Sequence, residues 1–186
     1  MTSTRAARFL AHLDRLSGGV EPTFHPIEPS TPGGEKTWVI AYRNLADGLL
    51  TGITYGLSST DHPDWRFGRP ELIINVASTD ISWALAIGHL VDRLRGDCPF
   101  SYGNTIDFGV PIAPDSTMSA FMIFAPSTLD PEDSGIDVGD EKPINLSECY
   151  PIHDSELRYI AEHGLEAFWK LDWELYDVTR PPADGA

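Results

Sequence analysis

Phe9, Leu10, Leu13 and Leu16 fall at near-helical intervals, so one side of the segment Arg5–Ser17 is apolar while Arg, His and Asp share the other. That spacing predicts an amphipathic helix, ended by Gly18-Gly19. Residues 20–36 are rich in Pro, Gly and Glu and predict a loop. The period then changes. "KTWVIAY" and "LLTGITYGL", joined by "RNLADG", predict the two strands of a hairpin, "STDHPDWRFGR" predicts a loop, and "PELIINV" predicts a buried strand. Helical spacing returns at Trp83, Ile87, Leu90, Val91 and Leu94. Asp80 is placed to cap that helix and Gly96 to end it, while His89 lies off the stripe on the polar side.

Three further apolar runs, "VPI", "SAFMIFA" and "PINLSECYPI", predict strands, with an acidic stretch at 129–141 between the last two. A helix from Ser155 to His163, a break at Gly164 and a shorter helical piece to Trp169 complete the pattern. Helices at the start, middle and end around five or more strands predict an α+β fold, with a mixed or mainly antiparallel sheet packed against the helices. No repeat or linker divides the chain, so residues 1–186 are expected to form one domain, with 1–36 as N-terminal helix and loop and 179–186 as a flexible tail.

Charge changes the picture more than composition does. The net charge is −15, and it is uneven: residues 1–95 carry nine Lys/Arg against ten Asp/Glu, whereas 96–186 carry four against eighteen. Such a field repels phosphate backbones and anionic lipid and attracts a basic protein partner, so neither nucleic acid nor membrane is an expected partner. No apolar run reaches the roughly 18 residues of a span and no apolar block opens the chain, which predicts a soluble, cytoplasmic protein. Cys98 and Cys149 stand outside any C-x-x-C pair and are expected to be free thiols.

The densest cluster of reactive side chains is "CYPIHDSELRYIAEHGLEAFW", residues 149–169. Asp154 is placed to cap the following helix, Glu156 to sit near its positive end, and Gly164 to supply the left-handed turn after it. Cys149 and His153 are four apart in an extended stretch, which separates them by about 13 Å, too far for a shared metal or a thiolate–imidazole bond. In "TYGLSSTDHPDW", Ser58 or Ser59 with His62 and Asp61 imitates a catalytic triad, but no G-x-S-x-G elbow accompanies it and turn hydrogen bonds account for these residues. Counted from Asp130, the acidic stretch has oxygen ligands at positions 1, 3 and 5, Gly135 at 6 and Glu141 at 12 of a calcium loop. Asp137 occupies its hydrophobic position 8 and no helical pattern precedes it, so a solvated acidic loop is expected. No cofactor, metal or catalytic motif emerges. The enzymatic alternative is a small hydrolase or metal-dependent enzyme using His153 with Cys149, or His62 with Asp61.

"TYGLSSTDHPDW", "PELIINV", "GHLVDRLRG", "FSYGNTIDFGVPI", "SAFMIFAP" and "INLSECYPIHDSELRYIAEHGLEAFW", taken in order, resemble the suppressor of fused (SUFU) domain family in its bacterial single-domain form, over about residues 37–178. The resemblance implies an α+β domain that binds proteins and performs no catalysis. Its animal member restrains zinc-finger transcription factors of the Hedgehog pathway, and bacterial members are associated with immunity against polymorphic toxins. The animal protein clamps its peptide between this domain and a second, C-terminal one. Here the chain ends at Ala186, so that second domain is expected to be absent and no partner-binding residues carry over. Tyr55, Gly56, Tyr102, Gly103, Tyr150, Pro151, His153, Asp154, Glu156 and Gly164 mark the family and are expected to be structural. The acidic loop supplies the expected contacts with a basic partner, a toxin or a regulator: Asp130, Glu132, Asp133, Asp137, Asp140 and Glu141.

Overall fold

In the computed structural model, which describes residues 4–186, the amphipathic N-terminal segment is helix α1 (Arg5–Ser17). Thr4 opens it, its hydroxyl accepting the N–H of Ala7 at 3.2 Å. Phe9 and Leu13 are its buried apolar side chains, each contributing about 1.5–3 kcal/mol by leaving water. Strands β1 (Thr23–Ile27), β2 (Thr37–Arg43), β3 (Leu50–Tyr55) and β4 (Arg69–Val76) form an antiparallel meander. Helix α2 (Ser82–Leu94) follows, then β5 (Thr105–Asp107), β6 (Ala120–Phe124), β7 (Gly135–Ile136), β8 (Ile144–Ile152), α3 (Asp154–His163) and α4 (Leu165–Trp169). The sheet order is β1-β2-β3-β4-β8-β6-β5, with β7 added beside the start of β8. Only the β4–β8 pair is parallel. The expected class, α+β with a mixed and mainly antiparallel sheet, is the observed one.

Period-two alternation sorts the sheet's side chains onto two faces. Val39, Ala41, Leu72, Ile74, Phe121 and Cys149 join Trp83, Ile87 and Leu90 of α2 on one. Ile40, Tyr42, Ile53, Ile73 and Leu146 join Phe9 and Leu13 of α1 on the other. Farther along that second face, Met122, Tyr150 and Ile152 meet Ile160 of α3 and Phe168 of α4. Helix α2 comes close to the sheet because glycines leave room: a Cβ on Gly52 would lie 2.7 Å from that of Ala84, and one on Gly88 would lie 2.6 Å from a methyl of Val39.

Between the α1 cluster and the α3–α4 cluster the second face carries a polar seam. The Thr51 hydroxyl donates to Asn75 Oδ1 at 2.7 Å, and Asn75 Nδ2 donates to Glu148 Oε1 at 2.9 Å. Glu148 Oε2 accepts the N–H and the hydroxyl of Ser127 at 2.5 and 2.8 Å. Glu148 is 1% exposed and burial pushes its carboxyl pKa up.

Five local expectations need correction. The stretch 20–36 contains β1, whose pairing with β2 overrides a Pro/Gly-rich composition. "VPI" is not a strand; within it only Ile112 is buried. The neighbouring "FSYGNTIDFG" supplies β5 instead, and β7 forms within the acidic stretch. The expected flexible tail is anchored, because Arg180 and Ala183 are 6% and 4% exposed. The N-cap of α2 is Ile81, without a side-chain cap, rather than the expected Asp80; Asp80, one residue earlier, accepts the N–H of Ser82 at 2.9 Å, a bond that holds its carboxyl below the usual range.

Candidate protein-binding surface

The acidic loop is half structural. Ile136 and Val138 point into the α1 cluster, so the loop lies along that helix. His12 Nε2 donates to the carbonyl of Asp133 at 2.8 Å, and Arg5 Nε donates to Asp140 Oδ2 at 2.8 Å. Arg69 approaches the same carboxylate at 4.0 Å. Asp137 Oδ1 is occupied by the N–H of Gly139 at 2.8 Å. Arg5 of α1, with Arg69 of β4 nearby, thus absorbs part of the charge that looked free in the sequence. Asp130, Glu132 and Glu141 are exposed and form no ion pair among the described residues. These three, with Asp137, whose carboxylate meets only the backbone N–H of Gly139, are the acidic side chains the loop offers outward, and Asp133 is half-buried beside them.

The "TYGLSS" turn is organised by a carboxylate that sequence reasoning missed. Glu71, fully buried on β4, accepts the hydroxyls of Thr54 and Ser58 at 2.7 and 2.6 Å and the N–H groups of Gly56 and Ser58 at 2.8 and 2.9 Å. Leu57 N–H adds a longer contact at 3.3 Å. The Ser58 hydroxyl also accepts from Arg5 Nη2 at 2.6 Å, so this serine is a buried bridge with no access to substrate. Its imagined triad partners are elsewhere engaged. Asp61 accepts from Arg69 Nη2 at 2.6 Å, and His62 Nδ1 accepts the N–H of Asp64 at 3.2 Å. Tyr55 closes the turn, its ring 4.8 Å from that of Phe9.

In the block 149–169 the helix begins one residue earlier than expected. His153 is the N-cap and Asp154 the first helical residue, its carboxylate paired with Arg158 one turn on. Glu156 is not a surface charge beside the helix dipole. It is fully buried, accepts from Arg180 Nη1 and Nη2 at 2.5 and 3.0 Å, and takes the N–H groups of His153 and Ala183, each at 2.8 Å. Gly164 has φ 87° but ψ 161°, an extended turn rather than the expected left-handed helical one, with its N–H on Ile160. His153 Nε2 donates to the carbonyl of Arg180 at 3.0 Å, while Cys149 faces α2 across the sheet. The two form no dyad, and burial raises the thiol pKa of both Cys149 and Cys98, away from the reactive thiolate. Pro151 lies opposite Phe121 in the β6–β8 pair, and Tyr150 donates to the carbonyl of Ala125 at 2.6 Å. Tyr102 is 53% exposed against Phe124, and Gly103 donates to the carbonyl of Ile123 at 2.8 Å. Among the described residues no three His, Cys, Asp or Glu converge as metal ligands, and no helix is long and apolar enough to cross a membrane.

Comparison with known proteins follows the same architecture. A SUFU homologue from Neisseria gonorrhoeae FA 1090 superposes with a TM-score of 0.75 at 17% identity, covering 94% of this chain and 94% of its own. A chain of the Sufu–Fu complex aligns at TM-score 0.69 and 13% identity, over 93% of this chain and 89% of that one. Drosophila Suppressor of Fused gives TM-score 0.69 at 12% identity over 93% of this chain, which spans only 49% of that protein. No curated protein matches by sequence. At these identities the likeness is one of fold. The family model described as Suppressor of fused protein (SUFU) matches residues 33–181, most of the sequence, and on that match the chain belongs to the suppressor of fused family.

Proposed function

We propose that this protein is a non-catalytic, intracellular protein-binding module that meets a basic partner through its acidic loop, as an immunity-type protein against a toxin or as a regulator. The observation that carries the reading is the division within the loop. Arg5, His12 and the Ile136–Val138 contacts fix its backbone against α1, while Asp130, Glu132 and Glu141 stay in water without an ion pair among the described residues. A like-charge cluster on a fixed backbone accelerates encounter with an opposite charge and adds little desolvation cost. The Sufu–Fu complex gives the fold a precedent for holding a protein partner. The dispersal of Ser58, Asp61, His62, Cys149 and His153 among separate structural hydrogen bonds and core positions leaves the hydrolase reading without a centre.

The test is association kinetics with the product of the adjacent reading frame. Replacing Asp130, Glu132 and Glu141 together by Lys, with Asp140 left to hold Arg5, is expected to slow association about tenfold at low salt. The same change flattens the dependence of the rate on salt. Association that ignores both the reversal and the salt overturns the reading.

A further inference from the structure

The two faces of the sheet are finished differently at its β1 edge. On the α2 face, cover reaches the last strand: Ile27 belongs to the α2 cluster, and a Cβ on Gly88 would lie 2.7 Å from its side chain. On the α1 face, cover stops short. The cluster under α1 takes in Ile40, Tyr42 and Ile53 but, among the described residues, no side chain of β1. Register sets Phe24 opposite Ile40 and Trp38 opposite Tyr55 on that face, and Phe24 and Trp38 are 50% and 39% exposed. Between these rings and Ala6 and Leu10 of α1 runs a hollow of about 370 Å³, with no charged side chain in its walls. Both rings stand on paired strands, so the sheet itself, and no loose loop, holds them in water.

We propose that this groove is the contact face of a two-fold homodimer, in which Phe24 and Trp38 of each copy fill the hollow of the other. Charge selects a second copy as the occupant. The chain carries −15, so two copies repel one another wherever their carboxylates meet. The groove is built wholly within residues 6–55, in the half of the chain where nine bases nearly cancel ten acids, and its own walls are uncharged. Two such anions can touch there without setting carboxylates against each other. The same lack of charge leaves the groove nothing with which to select the basic partner that the acidic loop favours. That loop is held by Arg5 and His12, whose helical spacing puts them on the flank of α1 away from Ala6 and Leu10, so pairing leaves it in water. Shape agrees with charge. Protruding rings and a hollow occur in one patch, which is the self-complementarity a two-fold interface demands. Pro26 has no N–H to donate, so the β1 edge is a poor template for strand addition and the contact is made by side chains.

The test is sedimentation equilibrium of the full chain over a concentration series. A reversible monomer–dimer equilibrium is expected, and raising salt from about 0.01 M to about 1 M should tighten it, because salt screens the repulsion between two anions and leaves apolar contact in place. Association with a basic partner has the opposite salt dependence. Phe24→Ser is expected to weaken the dimer about tenfold or more, and Trp38→Gln likewise. Circular dichroism checks that each variant folds, and the wild-type salt series stands without either. Phe67→Ser, at an exposed ring outside the groove, is expected to change nothing. A chain that stays monomeric up to about 1 mM overturns the proposal. So does a dimer that loosens with salt, ignores folded Phe24→Ser and Trp38→Gln, or responds equally to Phe67→Ser. A monomer whose groove takes up the dye ANS in a Phe24-dependent way also overturns it, assigning the groove to a small apolar ligand. The same holds for a monomer in which Phe24→Ser weakens binding of the adjacent frame's product, which assigns the groove to that partner.

Discussion

Glu148 and Glu156 flank His153 in one stretch of chain, and both are almost fully buried, at 1% and 0% exposure. They are held in opposite ways. Glu156 meets a guanidinium through both oxygens and two backbone N–H groups besides, and Arg180 is in turn stacked over Trp173 at 4.8 Å. Glu148 has only the neutral donors Asn75 and Ser127, and desolvation dominates, so its carboxyl holds its proton to higher pH than usual. One buried charge is a fastener that pins the C-terminal segment to α3. The other is an acceptor that a polar seam requires and whose ionisation the interior resists.

The largest effect is expected where the fastener is opened. Glu156→Ala leaves Arg180 buried and unpaired and should cost about 3–5 kcal/mol, read as a lowered urea midpoint. Replacing both partners by apolar residues, Glu156→Leu with Arg180→Met, should recover most of that loss. Failure of the double variant to recover would show that the hydrogen bonds to His153 and Ala183, rather than the charge pair, hold the segment. Next comes Glu148→Gln. The folded carboxyl has the higher pKa, so between its unfolded and folded values the native state carries more protons, and wild-type stability falls as pH rises through that window. Gln removes the titration. The wild type should therefore lose stability relative to Glu148→Gln as pH rises above the ordinary carboxylate range, a trend measurable by urea unfolding between about pH 4 and pH 8. Parallel pH profiles would place the seam's proton elsewhere. Smallest is Asp154→Ala, which opens an exposed pair with Arg158 and should shift stability by only about 0.3–0.5 kcal/mol. A larger loss would mean that Asp154 contributes to the helix start beyond that pair.

Long periodic segments were legible because their partners are local or their burial is one-sided. The stripe of α1, the β2–β3 hairpin and the Trp83–Leu94 face of α2 declare themselves through spacing alone. β1 did not, because it contains Pro26 and buries only Ile27, so its existence depends on β2. The roles of Asp140 and Glu156 were hidden for a different reason. Arg5 is 135 positions from Asp140, and Arg180 lies in a stretch whose composition reads as a tail. Glu71 gave one faint signal, a lone acid inside an otherwise apolar strand, which is the mark of a carboxylate with donors waiting for it. The exposed half of the acidic loop was visible as charge. Which residues of it are already engaged depends on long-range pairing that no local pattern encodes.

The parallel pairing of β4 with β8 has a consequence for how the chain comes off the ribosome. β4 ends at Val76 and its neighbour begins only at Ile144, so the first four strands and α2 emerge with one flank of β4 still without its ladder partner. That strand, "RPELIINV", carries charge only at Arg69 and Glu71, so its second half, Leu72–Val76, has none to shield it. During synthesis it is an open template for stray strand addition. Closure of the sheet waits for the last strand made, which places the slow step of folding late, at the joining of two halves distant in sequence.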